Sequence, residues 1–230
     1  RVYLCAHEPE QIAGLGPEKY PYLAEEKRGG MSAKEYEEYE RNRRQEGIER
    51  AKAYAFREHV YCFDAETGET LWHTRSESVY SRWPQSGSPT IVGDRLFLLG
   101  AGRQVRCLNR LTGDDIWTCA LPGEFTDEFY QSSVLVEDGV AVVVAGTLFG
   151  LDAATGAIIW QGDEQRTQGT HSSPTLWSTP QGPRVIVNLA GGVTGCFDLR
   201  DGHELWRTKT EGGLSTPIVV GDRLITYGNS

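Results

Sequence analysis

Asp152-Ala-Ala-Thr155-Gly156-Ala-Ile-Ile-Trp160 is one of four copies of a short pattern whose recurrence decides the fold. The others are Asp64-Ala-Glu-Thr67-Gly68-Glu-Thr-Leu-Trp72, Asn109-Arg-Leu-Thr112-Gly113-Asp-Asp-Ile-Trp117 and Asp198-Leu-Arg-Asp201-Gly202-His-Glu-Leu-Trp206. Their tryptophans fall 45, 43 and 46 residues apart. A repeat of this length made of short β segments is the signature of a β-propeller, in which each repeat is one four-stranded antiparallel blade that cannot bury its faces alone. The fold class is therefore all-β.

Working outward from the pattern, one complete repeat reads Ser88-Pro-Thr-Ile-Val92 (strand A), a Gly93-Asp94-Arg95 turn, Leu96-Phe-Leu-Leu99 (B), Val105-Arg-Cys-Leu108 (C), the Thr112-Gly113 turn and Ile116-Trp-Thr-Cys119 (D). Short β-branched and aromatic runs separated by Gly and Asp predict an antiparallel meander. Ser133-Val-Leu-Val and Ser173-Pro-Thr-Leu open the next two copies. Alternating strand direction puts the A–B and C–D turns on one face of the ring, and the B–C and D–A loops on the other. Functional residues are expected on the variable D–A loop face, carried by a rigid scaffold.

The N-terminal part departs from this grammar. Val2-Tyr-Leu-Cys5 reads as a strand B and Val60-Tyr-Cys-Phe63 as a strand C, so residues 8–58 form an insertion where a loop of a few residues is usual. Gly14, Gly16, Pro17 and Pro21 mark a loop, and Met31 to Phe56 reads as a helix opened by Ser32 and Glu35 at capping-box spacing. The charged middle of this helix predicts a solvated cap over the loop face, or else a helix that binds a partner.

Without the insertion about 180 residues remain, roughly four blades of ~45 residues. The chain nevertheless opens on a strand B and closes on another, Leu224-Ile-Thr-Tyr227. Closing four blades would leave one strand surplus with an exposed edge. Residues 1–230 are thus expected to be a section of a larger ring of seven or eight blades, and Arg1 in place of Met leaves any targeting segment outside the sequence.

A net charge of −9 argues against nucleic acid as a partner, because that surface demands clustered positive charge. No run approaches the ~20 apolar residues of a membrane helix. Of five cysteines, Cys62, Cys107 and Cys196 share one repeat position, where the third copy has Gly150. Equivalent positions in different blades lie too far apart to be bridged, so these three read as small buried residues, with Cys5 and Cys119 undecided.

From Val60 to Trp206 the chain resembles the pyrroloquinoline-quinone (PQQ)-type propeller repeat: a small residue, x, Asp, x, x, Thr, Gly, x, x, x, Trp. Asn109 and Asp201 depart from it. The resemblance implies that Trp72, Trp117, Trp160 and Trp206, with Gly68, Gly113, Gly156 and Gly202, form a girdle that docks neighbouring blades. The Ser88–Leu96 and Thr216–Leu224 stretches look most like the non-catalytic branch, that of outer-membrane assembly lipoproteins and other bacterial envelope proteins. That branch implies a periplasmic scaffold or binding module with protein partners and no cofactor. The alternative is a PQQ-dependent alcohol or sugar dehydrogenase carrying PQQ with calcium. Against it, no two cysteines are adjacent and no CxxCH haem site occurs.

The starts of the A strands line the mouth of the central channel on the loop face, bringing Ser86-Gly87-Ser88, Gln131-Ser132-Ser133, His171-Ser172-Ser173 and Leu214-Ser215-Thr216 together. A ring of hydroxyls with an imidazole and an amide suits a small polar ligand, a glycan or an extended peptide. The alternative is that these hydroxyls satisfy local backbone groups. Arg82 and Trp83, with Phe125, Phe129 and Tyr130, are of the types found in interface hot spots, or else pack beneath the insertion. The binding candidates are Arg82, Trp83, Ser86, Gln131, His171 and Ser215. Nothing supplies a nucleophile with its base or a metal-ligand set, so no catalytic residue and no metal are expected. His7 and His59 could meet where strands B and C pair, and Glu124, Asp127 and Glu128 read as a solvated acidic loop.

Overall fold

The computed structural model describes residues 1–81, 87–123 and 132–228. The first sheet holds β1 (Val2–Gln11), β2 (Tyr54–Phe63) and β3 (Thr70–Ser78), with helix α1 (Ala33–Ala51) between β1 and β2. The second is β4 (Thr90–Val92), β5 (Arg95–Gly100), β6 (Gln104–Asn109) and β7 (Asp115–Ala120), in sequential order. The third contains β8 (Leu135–Glu137), β9 (Val140–Ala145), β10 (Thr147–Asp152) and β11 (Ile158–Gln161). The fourth contains β12 (Thr175–Thr179), β13 (Gly182–Leu189), β14 (Val193–Asp198) and β15 (Glu204–Lys209), and β16 (Ile218–Val220) pairs with β17 (Arg223–Ile225) in the last. Every pairing is antiparallel, the meander order A to D read from the repeat.

Strands β5 and β9 are buried on both faces, which is why they read as apolar runs. In β5, Leu96 and Leu98 pack with Val60 and Leu108 toward the first sheet. Phe97 and Leu99 point the other way, toward Val143, Phe149 and Leu151 of the third sheet. Val142 and Val144 of β9 in turn meet Val185, Val187 and Phe197 of the fourth. Alternation with a period of two thus delivers one strand's side chains to two separate cores.

A recurrent bulge sits in each strand C, between Cys62 and Phe63, Cys107 and Leu108, Gly150 and Leu151, and Cys196 and Phe197. The residue before each bulge pairs with the repeat tryptophan of strand D. This explains the small residue there: a Cβ on Gly150 would lie 2.1 Å from Trp160. The three cysteines at the position are fully buried and free, as read from the repeat, and burial lifts the Cys196 thiol to about 11.

The insertion is shorter than the 8–58 read from the sequence, because β1 and β2 stay paired as far as Gln11 and Tyr54. Pro9 is tolerated in β1, which is an edge strand of its sheet. The helix likewise ends at Ala51 and not at Phe56, since Tyr54 and Phe56 are drawn into β2, where aromatic residues are favoured. Its start matches the sequence: Ser32 and Glu35 form a reciprocal capping box. No residue of α1 is buried. The loop before it is clipped on by Glu46, which accepts the N–H groups of Lys19 and Tyr20, and by Tyr39, whose hydroxyl donates to Pro21 O.

Candidate functional site

The C–D turns form the more regular face. The Asp152 carboxylate accepts from Ala154 N, Thr155 N and Thr155 Oγ1, and these bonds hold it below the usual carboxylate range. Asp64 is held down in the same way by Thr67 and Glu66. The closed turn presents its glycine to the neighbouring blade. Trp72 packs on Gly113, Trp117 on Gly156 and Trp160 on Gly202, each at a distance where a Cβ could not fit. Each indole also donates to a backbone carbonyl of that turn: Trp72 to Arg110 O at 3.1 Å, Trp117 to Ala153 O at 3.1 Å and Trp160 to Leu199 O at 3.0 Å. Gly68 has no atom within 4 Å of its would-be Cβ. Trp206 lies beside Trp177 and Leu224 in a small hollow between β12 and the last hairpin.

On the opposite face the A strands start, and their hydroxyls run from blade to blade. Ser133 Oγ accepts Ser88 N–H, Ser173 Oγ accepts Ser133 N–H, and Thr216 Oγ1 accepts Ser173 N–H. One residue earlier, Ser132 and Ser172 are fully buried against strand B, meeting Val144 and Asn188 N. The Ser215 hydroxyl donates to Tyr227 O at 2.7 Å, and its carbonyl accepts from Asn188 Nδ2. His171, one residue before Ser172, is half-buried. Of the six binding candidates, His171 and Ser215 are described, each a few residues ahead of a strand A, β12 and β16, whereas Arg82, Trp83, Ser86 and Gln131 lie outside the described residues. The acidic loop Glu124, Asp127 and Glu128, with Phe125, Phe129 and Tyr130, lies outside them too.

His7 and His59 do not meet. Cross-strand partners share a face, and His7 pairs with Glu58 while His59 pairs with Ala6, which sets the two imidazoles on opposite sides of the first sheet. His59 instead bridges Glu8 and His73, with 2.8 Å to each. Among the described residues no group of three or more His, Cys, Asp or Glu is arranged to hold a metal ion.

On the other side of that sheet Glu58 is buried, and its Oε1 accepts Ala101 N–H at 2.5 Å. Burial raises its pKa, against the lowering influence of that bond and of His7 and Arg106. Burial, and next the Glu58 charge, lifts the neighbouring Cys5 thiol to about 11. Sequence reading passed over this carboxylate and also a cavity of about 340 Å³ between α1 and the far ends of β1 and β2. Its one local signal was Gly47, a glycine inside a helix.

A family model described as outer membrane protein assembly factor BamB matches residues 57–229. The protein of that name from Bordetella pertussis (strain Tohama I) is 23% identical over 173 residues, covering 71% of this chain and 42% of the relative. Its counterpart from Burkholderia pseudomallei (strain K96243) is 29% identical over 182 residues, covering 74% and 45%. The crystal structure of BamB from Moraxella catarrhalis superposes with a TM-score of 0.55 at 23% identity, covering 72% of this chain and 48% of that one. The chain thus spans less than half the length of these relatives.

Proposed function

Since the chain belongs to the family of outer membrane protein assembly factor BamB, we propose that it serves as a non-enzymatic β-propeller scaffold of the bacterial cell envelope, taking part in outer-membrane protein assembly through protein contacts on its loop face. The observation that carries this reading is the docked face made by the C–D turns. Trp–Gly docking and closed Asp turns tie that side together, and variable loops carried on such a rigid scaffold are where recognition residues usually sit. Arg82, Trp83, Ser86, Gln131, His171 and Ser215 would be the contact residues there, with Arg82 and Trp83 of the types that anchor interfaces.

The dehydrogenase alternative fits the described rim poorly. A planar tricarboxylate quinone needs convergent donors, yet the Ser172 hydroxyl donates to Ser173 O and the Ser215 hydroxyl to Tyr227 O, so neither turns its O–H to a ligand.

Photo-crosslinking in the full-length protein in its own envelope tests the proposal. Probes at positions 83, 131 and 215 should yield adducts with outer-membrane β-barrel proteins or their assembly machinery, and a probe at Ala154 on the turn face should not. Adducts from Ala154 alone, or none from the loop face, would remove the loop-face reading.

A further inference from the structure

Beyond that scaffold role, we infer that the cavity between α1 and the first sheet binds a small aromatic carboxylate. The walls are aromatic. β1 and β2 run past the blade and carry His7 and Phe56 on one face, their rings stacked with centroids 5.4 Å apart. Tyr54 and Tyr80 flank Phe56 at 6.2 and 5.8 Å. The cavity measures about 340 Å³, within the lower range of ligand sites (~300–1,000 Å³) and large enough for one substituted ring.

The helix closes the other side with Gly47, Arg50 and Ala51. Gly47 adopts no left-handed φ, so its backbone does not require glycine, and glycine inside a helix costs about 1 kcal/mol relative to alanine. Its would-be Cβ lies 3.3 Å from Tyr80 Oη. The missing side chain lets the tyrosine lie on bare helix backbone and leaves the floor of the cavity open.

Charge selects the ligand. An aromatic cage by itself suits a quaternary ammonium, but among the described residues the lining contains the permanently charged Arg50 and no acidic residue. One Arg50 N–H donates to Gly16 O at 2.7 Å, which orients the guanidinium and leaves its other donors. The nearby Glu46 carboxylate accepts the N–H groups of Lys19 and Tyr20, and its attraction to Arg50 is through space, without a hydrogen bond to the guanidinium among the described residues. In a chain of net charge −9 this is an apolar pocket that accepts an anion. A ring joined to a carboxylate through one or two carbons satisfies both walls: stacking on Phe56 and the tyrosines, and an ion pair with Arg50.

NMR titration of the full-length protein, its tyrosine and phenylalanine side chains labelled, with 3-phenylpropionate, its amide and 3-phenylpropylamine tests the assignment. The acid should shift resonances of Tyr54, Phe56 and Tyr80 and bind roughly tenfold tighter than the amide, with the amine weakest. Arg50→Gln should erase the preference for the acid, and Gly47→Leu should abolish binding by filling the floor. The peptide Gly-Gly-Phe, run beside its C-terminal amide, separates a free acid from the end of a polypeptide as the natural source. Equal binding of acid and amide, an acid preference that survives Arg50→Gln, or no shift up to the solubility limit of the acid would overturn the inference.

Discussion

Trp117 packs its indole on Gly156 of the following blade and donates its Nε1–H to Ala153 O of the same turn. A single aromatic residue thereby joins two blades by area and by direction at once. Burial of such a ring contributes about 1.5–3 kcal/mol, and the hydrogen bond fixes the angle at which the sheets stack.

Gly156 has φ +78°, and a Cβ there would stand 2.6 Å from the indole. Gly68 occupies the same turn with φ +74° and open space. Gly68→Ala in this chain should therefore cost only the left-handed strain, about 1–2 kcal/mol. Gly156→Ala should lose a further 1–3 kcal/mol or so from the clash. Denaturant unfolding of the two variants reads the difference, and equal losses would mean that the turn, rather than the docked ring, sets the stability.

Glu58 gives the molecule a pH dependence of definite sign. Its folded pKa stands above the unfolded value of about 4.3, so its contribution to stability is fully present below that value and is lost as pH rises through the folded pKa. Glu58→Gln keeps an acceptor for Ala101 N–H and removes the ionisation. Melting curves across roughly pH 4 to pH 8 should show the variant gaining on the wild type as pH rises. A wild type that gains on the variant instead would mean that the charged form is the favoured one.

The blade order, the small residue of strand C and the Ser32 cap were legible because each depends on neighbours close in sequence. What escaped depends on register or on residues some forty positions away. Glu8, Pro9 and Glu10 look like a loop, yet they belong to β1 because β2 supplies their partners. The rim serines could be seen to be hydroxyls, but that Ser173 receives Ser133 N–H is a fact of blade stacking. His59 was visible without any hint that its partner would be His73 rather than His7.

Ser32→Ala removes the acceptor for Glu35 N–H and half of the capping box. The expected loss is about 1 kcal/mol, confined to the helix because α1 buries none of its residues in the blades. Hydrogen exchange of the α1 amides should speed up roughly fivefold while β9 and β13 stay unchanged. Loss spread over the blades would show that the helix is coupled to the propeller core.

Asn188 is the one fully buried amide of β13, placed where two blades meet. Its Oδ1 accepts from Thr194 at 2.6 Å and Thr226 at 3.2 Å, and its Nδ2 donates to Ser215 O at 2.8 Å. Gly212 approaches so closely that a Cβ on it would lie 2.6 Å from Oδ1. Asn188→Ala leaves the Ser215 carbonyl and two threonine hydroxyls without this partner, a loss of about 2–4 kcal/mol. Part of the same network fails in Thr194→Val, so the double variant should lose less than the two single losses combined. Protease nicking around 214–228 should rise with Asn188→Ala, because Ser215 and Thr226 anchor the last hairpin to the fourth blade through this one side chain. Additive losses with no added cleavage would mean that the hairpin is held by its other bonds to the fourth blade, among them Thr175 Oγ1 to Pro217 O and Trp177 Nε1 to Gly221 O, and that the amide serves only its own strand.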